Sequence, residues 1–464
     1  MPEMRKRYLR ILLTIYKKKV NSLLYGGQDM KYFTEDQLAE EIKPLSERAL
    51  EALNAGQLEI LPYFLNQMAI GHAGLCNLGL QWLPRMWSTI ARDMGESFLE
   101  NMLRESTDFL MAPYSSEFKS GNEKEVISEL ILLYRFQHSA SIVPLRETDE
   151  EIAIYLSPCG TGGRINLEGW PQLLSEYFSP CSDGTPIYCK ACKILQESFN
   201  ERCGSEIWST EISNTVNGAC EMRFNKQKTK GKKLFDSLEF YELTKPRCRQ
   251  AIEKLNVGNR EISHLLKDQH LEWLPYHDLM VQWAVCTQSV VYNEKGTDYL
   301  DQFLKETYDS AFSLAYPAYE ALDDITRFRA FVQTWHYHIA TFKVKEEEDR
   351  FVFILDPCGS GGRLYRSNMH KGQFRYGEGI PCFMDEPANI NFNRENFPIY
   401  CTHCASSNRD MFEGGPLVFV INGHAMKEPG SPCIHYLYKK GNRDNVPSDL
   451  LSQVGKTKVE PLKK

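Results

Sequence analysis

The chain alternates long stretches of helical periodicity with short strand-like stretches, and this alternation occurs twice. Apolar residues recur at the spacing of a buried helix face in 78–103 and again in 279–304, which predicts two long helices. Shorter segments of the same kind, 125–136 and 324–335, predict one further helix in each half. The two halves of the chain are therefore expected to share one order of elements.

Short segments rich in branched and aromatic residues follow these helices and predict strands. They fall at corresponding places of the two halves: 139–145 with 339–344, 151–156 with 350–355, and 221–224 with 434–438. An acidic turn separates the first two strands of each set. The predicted fold class is α+β, with a helical part before a cysteine-rich β part that a metal would stabilise.

Cysteine-containing motifs recur in the same order, which indicates a tandem duplication. SPCGTGGRI at 157–165 returns as DPCGSGGRL at 356–364, and PIYCKAC at 186–192 returns as PIYCTHC at 398–404. Weaker matches lie upstream at a constant offset, such as Gln81-Trp82 with Gln282-Trp283 and Gly95 with Gly296. Two copies of one module therefore account for most of the chain.

The duplication also predicts the domain organisation. The expected segments are an N-terminal basic amphipathic helical extension (1–45), a first repeat (46–224), a basic linker (225–248), a second repeat (249–442) and a tail (443–464). The lysine-rich run at 225–233 is expected to be solvated, and the tail is expected to fray.

Composition limits the classes of function. The 464 residues are 42% hydrophobic and 25% charged with a net charge of −7, which is typical of a folded protein and argues against a nucleic-acid partner. No apolar run is long enough for a membrane span. The segment 1–25 lacks the apolar region of a signal peptide. Its basic amphipathic helix could touch a membrane surface, but packing against the protein itself is favoured.

Fourteen cysteines without a secretory signal predict the reducing cytoplasm, where clustered cysteines usually bind metal or perform redox chemistry. Five cysteines recur in order in each copy: Cys159, Cys181, Cys189, Cys192 and Cys220, then Cys358, Cys382, Cys401, Cys404 and Cys433. A CxxC pair can share one tetrahedral ion, and glycines after the PCG cysteine can present backbone N–H groups to a thiolate.

These cysteines predict one metal ion in each copy, most simply zinc, with two ions per chain. Each CxxC pair would supply two ligands, and the PCG cysteine is the first choice for a third. The remaining ligand stays open between the other two cysteines of each copy. An iron–sulfur cluster is the alternative cofactor, and free or disulfide-bonded thiols are the metal-free alternative. A thioredoxin-like redox pair is less favoured because the βαβ context is missing.

Arg164 and Arg363 close the two glycine-rich loops. Either arginine could complete an anion-binding nest of backbone N–H groups. The simpler alternative is a turn around a metal with the arginine packed on its surface.

Histidines are concentrated in the second half, where His277, Asp278, His336 and His338 are candidate catalytic residues. His336 and His338 would share one face if their segment is a strand, whereas His277 and Asp278 are adjacent on a predicted helix and cannot both face one site. The second copy also has His403 inside its CxxC and His435, where the first copy has Ala191 and Met222. The alternative is that each histidine is an ordinary core or surface residue.

Three functions fit this sequence. The first is an enzyme that acts on a small anionic molecule in a pocket of the second copy, with zinc as a structural ion. A variant of this hypothesis adds a second metal that the histidines bind. The second is a binding or adaptor protein with a protein partner, in which both zinc sites only brace the fold. The third is an iron–sulfur or thiol redox protein.

Overall fold

The computed structural model describes residues 31–136, 142–167, 181–214, 218–313, 316–366, 382–415, 419–425, 428 and 430–461. Helices and antiparallel sheets occur together, so the α+β class is confirmed. The described residues form two compact units. We call residues 49–287 the upstream unit, and residues 31–48 together with 288–461 the downstream unit.

Most of the described residues are helical. In chain order, the helices are α1 (Glu35–Glu41), α2 (Leu45–Asn54), α3 (Leu61–Met94), α4 (Glu96–Ser120), α5 (Glu123–Phe136), α6 (Gly162–Leu167), α7 (Ile187–Cys203), α8 (Ser237–Thr244), α9 (Arg247–Asn256), α10 (Ser263–Leu266), α11 (Leu274–Leu304), α12 (Ser310–Phe312), α13 (Tyr316–Ala321), α14 (Asp324–Tyr337), α15 (Gly361–Arg366), α16 (Thr402–Phe412) and α17 (Ser448–Ser452).

The strands form small antiparallel sheets. They are β1 (Ile142–Glu147), β2 (Glu151–Leu156), β3 (Trp208–Asn214), β4 (Ala219–Asn225), β5 (Phe342–Glu346), β6 (Arg350–Leu355), β7 (Phe383–Met384), β8 (Phe397–Pro398), β9 (Val420–Asn422) and β10 (Cys433–Tyr438). The sheet of the upstream unit has the order β1-β2-β4-β3, and that of the downstream unit has the order β5-β6-β10-β9. Both sheets therefore have the same topology.

The two longest helices, α3 and α11, are interrupted at corresponding glycines. Gly95 ends α3 with a φ of 95°, and Gly296 breaks the helical geometry of α11 with a φ of 78°. Residues with a Cβ rarely adopt these φ values, so glycine fixes both breaks. In the upstream unit α3 packs against the start of α11, where Gly79 leaves space for the side chain of Met280.

Strand register determines where the cysteines lie. In the upstream sheet Leu156 pairs with Cys220, and three residues after Leu156 the chain reaches Cys159. In the downstream sheet Leu355 pairs with Cys433, and Cys358 follows Leu355 at the same distance along the chain. In each unit the register therefore brings a cysteine from the closing strand next to the PCG loop.

The hydrophobic pattern predicted most of the elements around the two sheets. The predicted strands 151–156 and 350–355 are β2 and β6, and the predicted helices 125–136 and 324–335 are α5 and α14 with small changes at their ends. The start of the strand predicted at 139–145 lies partly outside the described residues. The N-terminal helix predicted within 1–25 lies entirely outside them.

The structure departs from the prediction in two segments. Most residues of the run 225–233 are exposed as expected for a linker, but Lys226 is fully buried and pairs with Glu147, and α8 and the start of α9 follow this run. The tail contains α17 and buries Leu450, Leu451 and Val454, so it is packed as far as these residues. Both segments carry apolar residues between their charges, and burial of those residues outweighs the cost of ordering the chain.

None of the helices in the described part of the chain combines the length and apolar character that crossing a bilayer requires.

Candidate metal centre

Four cysteines from three separate segments approach one another in the upstream unit. Cys159 follows β2, Cys189 and Cys192 lie in the first two turns of α7, and Cys220 lies on β4. The electrostatic influence of these side chains on one another places all four in one neighbourhood. We call this set the upstream cluster.

One pair within the upstream cluster is linked by a hydrogen bond. Cys159 accepts a hydrogen bond from Cys220, which lowers the pKa of the Cys159 thiol to about 6 and raises that of Cys220. The backbone N–H of Gly163 also donates to Cys159 Sγ at 3.0 Å. N–H donors of this kind stabilise a thiolate, the form of cysteine that binds metals.

The CxxC pair of the upstream cluster is buried beside polar side chains. Burial, followed by the nearby charge of Cys159, raises the pKa of both Cys189 and Cys192, the latter to about 11 despite a hydrogen bond from Tyr134. The Tyr134 hydroxyl and Gln196 Nε2 each lie 3.6 Å from Cys192 Sγ. A positive charge among these sulfurs would favour their thiolate forms.

The downstream unit repeats this arrangement with Cys358, Cys401, Cys404 and Cys433, which we call the downstream cluster. Cys358 accepts a hydrogen bond from Cys433, which lowers the pKa of Cys358 to about 7 and raises that of Cys433. The backbone N–H of Gly362 donates to Cys358 Sγ at 3.0 Å, as Gly163 does in the upstream cluster. Both clusters therefore have the same internal hydrogen bonds.

Glycines in both PCG loops make room for the sulfurs. A Cβ on Gly162 would lie 2.5 Å from Cys189 Sγ, and a Cβ on Gly361 would lie 2.5 Å from Cys401 Sγ. Any larger residue would displace the CxxC sulfur, since real Cβ contacts are not this short. The glycine-rich loop is thus fitted to the second cysteine segment in each unit.

One recurring cysteine in each unit, Cys181 upstream and Cys382 downstream, lies outside the two clusters. The pKa of Cys181 is raised by burial and by nearby Glu96, and that of Cys382 is raised by burial, with Ser289 as its hydrogen-bond partner. Cys382 shows no influence from another cysteine, and Cys181 has only a minor one on Cys189. The fourth member of each set is therefore Cys220 or Cys433, a choice that the sequence left open.

The two loop arginines have the same contact in both units. Arg164 Nε donates to the Gly160 carbonyl at 3.2 Å, and Arg363 Nε donates to the Gly359 carbonyl at 2.9 Å. Each guanidinium thus holds the turn that carries its PCG cysteine.

The candidate catalytic residues belong to different parts of the structure. His277 and Asp278 lie on α11 in the upstream unit, where His277 Nδ1 is 3.0 Å from Asp278 Oδ1. His336 and His338 lie in the downstream unit, in and immediately after α14. The condition for a shared face, that this segment is a strand, is not met, because α14 extends through Tyr337.

His336 and His338 also have different partners. His336 Nε2 lies 2.8 Å from the carbonyl of Ile42, so it caps the end of α1. His338 Nδ1 lies 3.2 Å from the Ser360 hydroxyl in the PCG loop. His338 therefore borders the downstream cluster, whereas His336 contacts a helix end.

Further histidines border the downstream cluster. The backbone N–H of His424 lies 3.4 Å from Cys433 Sγ, and His403 Nε2 lies 3.5 Å from Cys404 Sγ. Burial, with a smaller effect from His403, lowers the pKa of His435 to about 3, so this imidazole is neutral. Its Nδ1 is buried without a hydrogen-bond partner among the described residues. The sequence contrast with Ala191 and Met222 pointed to His403 and His435, whereas nothing in the pattern singled out His424.

The sulfurs are close neighbours rather than a formed coordination shell. All fourteen cysteines are free thiols. Among the described residues, no set of three or more Cys, His, Asp or Glu side chains is close enough together to hold a metal ion. Zinc–sulfur bonds are about 2.3 Å long, shorter than any S–H hydrogen bond.

Comparison with protein-family models, with curated proteins and with solved structures found no match for this chain.

Proposed function

We propose that this protein is a thiolate metalloprotein that holds one zinc ion at the upstream cluster and one at the downstream cluster. The observation that carries the proposal is the recurrence of the same four-cysteine neighbourhood, with the same hydrogen bonds, in both units. Apolar packing alone does not require either copy of a duplicated module to keep four thiols together. A ligand of the same kind at both clusters explains why each copy keeps them.

The donor set favours zinc in a closed site. Four thiolates satisfy the tetrahedral preference of zinc and leave no open position, which is typical of structural zinc sites. The ligands would be Cys159, Cys189, Cys192 and Cys220 upstream, and Cys358, Cys401, Cys404 and Cys433 downstream. Binding requires the sulfurs to draw together to metal-bond distance.

The same proposal includes the tandem duplication. Matching sheet topology, matching helix breaks at Gly95 and Gly296, and matching loop contacts of Arg164 and Arg363 support two copies of one module. A buried ion pair also recurs. Lys226 with Glu147 upstream corresponds to Lys439 with Glu346 downstream. These matches are spread along each copy and do not depend on the cysteines.

Elemental analysis of anaerobically purified protein tests the zinc proposal. We expect two zinc ions per chain and the loss of one in each of the variants Cys189→Ser and Cys401→Ser. The matched controls Cys181→Ser and Cys382→Ser should keep both ions, because these cysteines stand outside the clusters. Absence of metal would contradict the proposal, and iron with acid-labile sulfide would replace zinc with an iron–sulfur cluster.

A second candidate function is catalysis in the downstream unit, with zinc as a structural ion. It is favoured by His435, whose buried Nδ1 has no hydrogen-bond partner among the described residues. Such an atom normally finds a partner in protein or ligand, since leaving it unpaired costs about 1–3 kcal/mol. The ring of Trp335 lies 4.5 Å from this imidazole, and the His338 ring lies 5.5 Å from the Trp335 ring. A small molecule that hydrogen-bonds to His435 would complete the site.

The matched variant for this candidate is His435→Met, which installs the residue of the other copy. Thermal unfolding would be measured with a panel of small carboxylates and phosphates at millimolar concentration. A true ligand stabilises the folded protein by about 2.7 kcal/mol at a hundred times its Kd. It should raise the Tm of the original protein and not that of the variant. A panel without effect would favour the adaptor function, in which a protein partner takes the place of a substrate.

A further inference from the structure

Two leader segments in the chain resemble each other beyond the repeat that the cysteines reveal. Lys31-Tyr32-Phe33-Thr34 corresponds to Lys233-Leu234-Phe235-Asp236, and a helix follows each, α1 and α8. Both helices begin with a capping box, Thr34 with Gln37 and Asp236 with Glu239. We call 31–48 the first leader and 233–256 the second leader.

Each leader packs in the unit that holds the other copy's sheet. The backbone N–H groups of Tyr32 and Phe33 donate to the Glu346 carboxylate at 2.7 and 3.0 Å, at the end of β5 in the downstream unit. The N–H groups of Leu234 and Phe235 donate to Glu147 at 2.5 and 3.3 Å, at the end of β1 in the upstream unit. The first leader thus binds the second copy, and the second leader binds the first copy.

The helix ends of the leaders repeat this crossed pattern. Two residues of α14 hold the end of α1. His336 contacts the carbonyl of Ile42, and Arg329 forms an ion pair with Glu41. At the end of α8, Arg135 of α5 donates to the carbonyl of Glu242 at 2.8 Å. Helices α5 and α14 occupy the same place in the two copies, so both leaders bind equivalent surfaces.

Counterpart residues of the two copies also meet inside the upstream unit. The rings of His72 on α3 and Trp273, just before α11, are 5.1 Å apart, and Gly79 packs on Met280. The two residues of each pair are as far apart in the sequence as Gln81 and Gln282, which match in the two copies. Contact between a residue and its own counterpart is the property of a symmetric interface between two identical chains.

We propose that this chain is a fused, segment-exchanged dimer, in which each copy completes its fold with the leader of the other. The proposal rests on the duplication proposed above. The surface around Glu147 or Glu346 therefore fits one kind of partner, the leader of a second copy of this module. A protein with a single copy would need a second molecule to cover that surface, because low-cost exchange of an identical element is a route to dimers.

Hydrogen exchange on the full chain tests this exchange with a matched pair of variants, Phe33→Ala and Phe235→Ala. The Phe33 ring packs 5.3 Å from Phe328 and 6.2 Å from Phe351, both in the second copy. Phe33→Ala should accelerate amide exchange in β5 and β6 by at least about tenfold and leave β1 and β2 protected. Phe235→Ala should do the reverse. Faster exchange in a variant's own copy would overturn the proposal.

A cut chain supplies a second measurement if either variant fails to fold. A protease site placed between Lys230 and Gly231 separates the two copies at an exposed position. We expect the fragments to stay together without denaturant. We also expect a carbodiimide to join Lys124 to Glu239, whose side chains lie 2.6 Å apart. Lys124→Gln is the control that removes this link. Fragments that separate into two folded monomers, or a chain that never forms the link, would overturn the proposal. Zinc content is unaffected by either result, so failure here is distinct from failure of the metal proposal.

Discussion

The buried lysine of the upstream unit offers a quantitative test of how the leader is held. Lys226 is fully buried, and its Nζ donates to Glu147 Oε1 and to the carbonyls of Thr148 and Lys232, each at 2.7 Å. Lys226→Met removes one partner of a buried ion pair and leaves the carboxylate and two carbonyls without this donor. Loss of one partner from such a pair destabilises proteins by about 3–5 kcal/mol.

The lower end of that range is expected here. Glu147 keeps its two backbone N–H donors from Leu234 and Phe235, which offset part of the uncompensated charge. We therefore expect Lys226→Met to lower the free energy of unfolding by about 3 kcal/mol, or the Tm by about 6–12 °C for a unit of this size. Lys439→Met should have a similar effect in the downstream unit, where Lys439 pairs with Glu346 at 2.8 Å.

Urea unfolding, followed by tryptophan fluorescence and circular dichroism, would measure this effect. The control is Lys230→Met, because the pair of Lys230 with Glu150 is exposed and should change stability by at most about 1 kcal/mol. The added change Glu147→Gln removes the stranded charge and should restore at least about 1 kcal/mol of the Lys226→Met loss. Equal effects of Lys226→Met and Lys230→Met would refute the reasoning that burial makes this pair important.

Three further predictions follow from packing and charge. Gly79→Ala places a methyl group against the flexible end of Met280, which can move aside. Urea unfolding should therefore show a loss of at most about 1 kcal/mol, and a loss above about 3 kcal/mol would contradict the freedom of Met280 to move. Burial, followed by nearby Asp410, raises the pKa of Asp309, so its neutral form stabilises the fold at low pH and that stability is lost as pH rises through the raised pKa. Asp309→Asn should therefore stabilise the protein more at pH 8 than at pH 5, and a pH-independent effect would count against this reasoning. In Gly163→Ala the added methyl group would collide with the Gly218 carbonyl and crowd Cys159, so elemental analysis should find one zinc ion fewer. Gly74→Ala is the control, because it has open space around it and should retain both ions.

A strand with a continuous apolar run could be predicted from the sequence, and one without apolar residues in a clear pattern could not. Strand β2 buries Ile152, Ala153 and Ile154 in succession, and its predicted limits agree with the structure. Strand β3 was missed because Ser209, Thr210 and Glu211 give it no apolar alternation. Its pairing with β4 makes it a strand, and long-range pairing of this kind outweighs local preference.

The leaders were missed for a different reason. The capping boxes at Thr34 and Asp236 were readable as helix starts, but the lysine-rich run before Asp236 suggested a solvated linker. Even if both helices had been recognised, the repeat would show only that the two segments are alike. The sequence could not predict which copy each leader packs against, because both copies have equivalent surfaces for it.

The sequence predicted which cysteines recur in the two copies, but not which four of the five lie together in each cluster. Repetition singled out five cysteines in each copy, and chain order gave no reason to separate Cys181 from Cys220. The register of β4 on β2 makes that separation, since it brings Cys220 to the PCG loop, whereas Cys181 lies near Glu96. Membership of a cluster that depends on strand register cannot be predicted from the spacing of cysteines alone.

The two clusters share their thiols but differ in what surrounds them, and that contrast bears on function. Tyr134 and Gln196 border the upstream CxxC, whereas His403 lies within the downstream one and His435 is close to it. If both clusters only braced the fold, equivalent neighbours would serve equally well in both units. In the part of the chain that the structure describes, buried and neutral imidazoles lie beside the downstream cluster alone. This placement is costly, because each imidazole must lose its hydration. A ligand that binds beside the downstream cluster would offset that cost, which is why the His435→Met variant separates a structural role from a catalytic one.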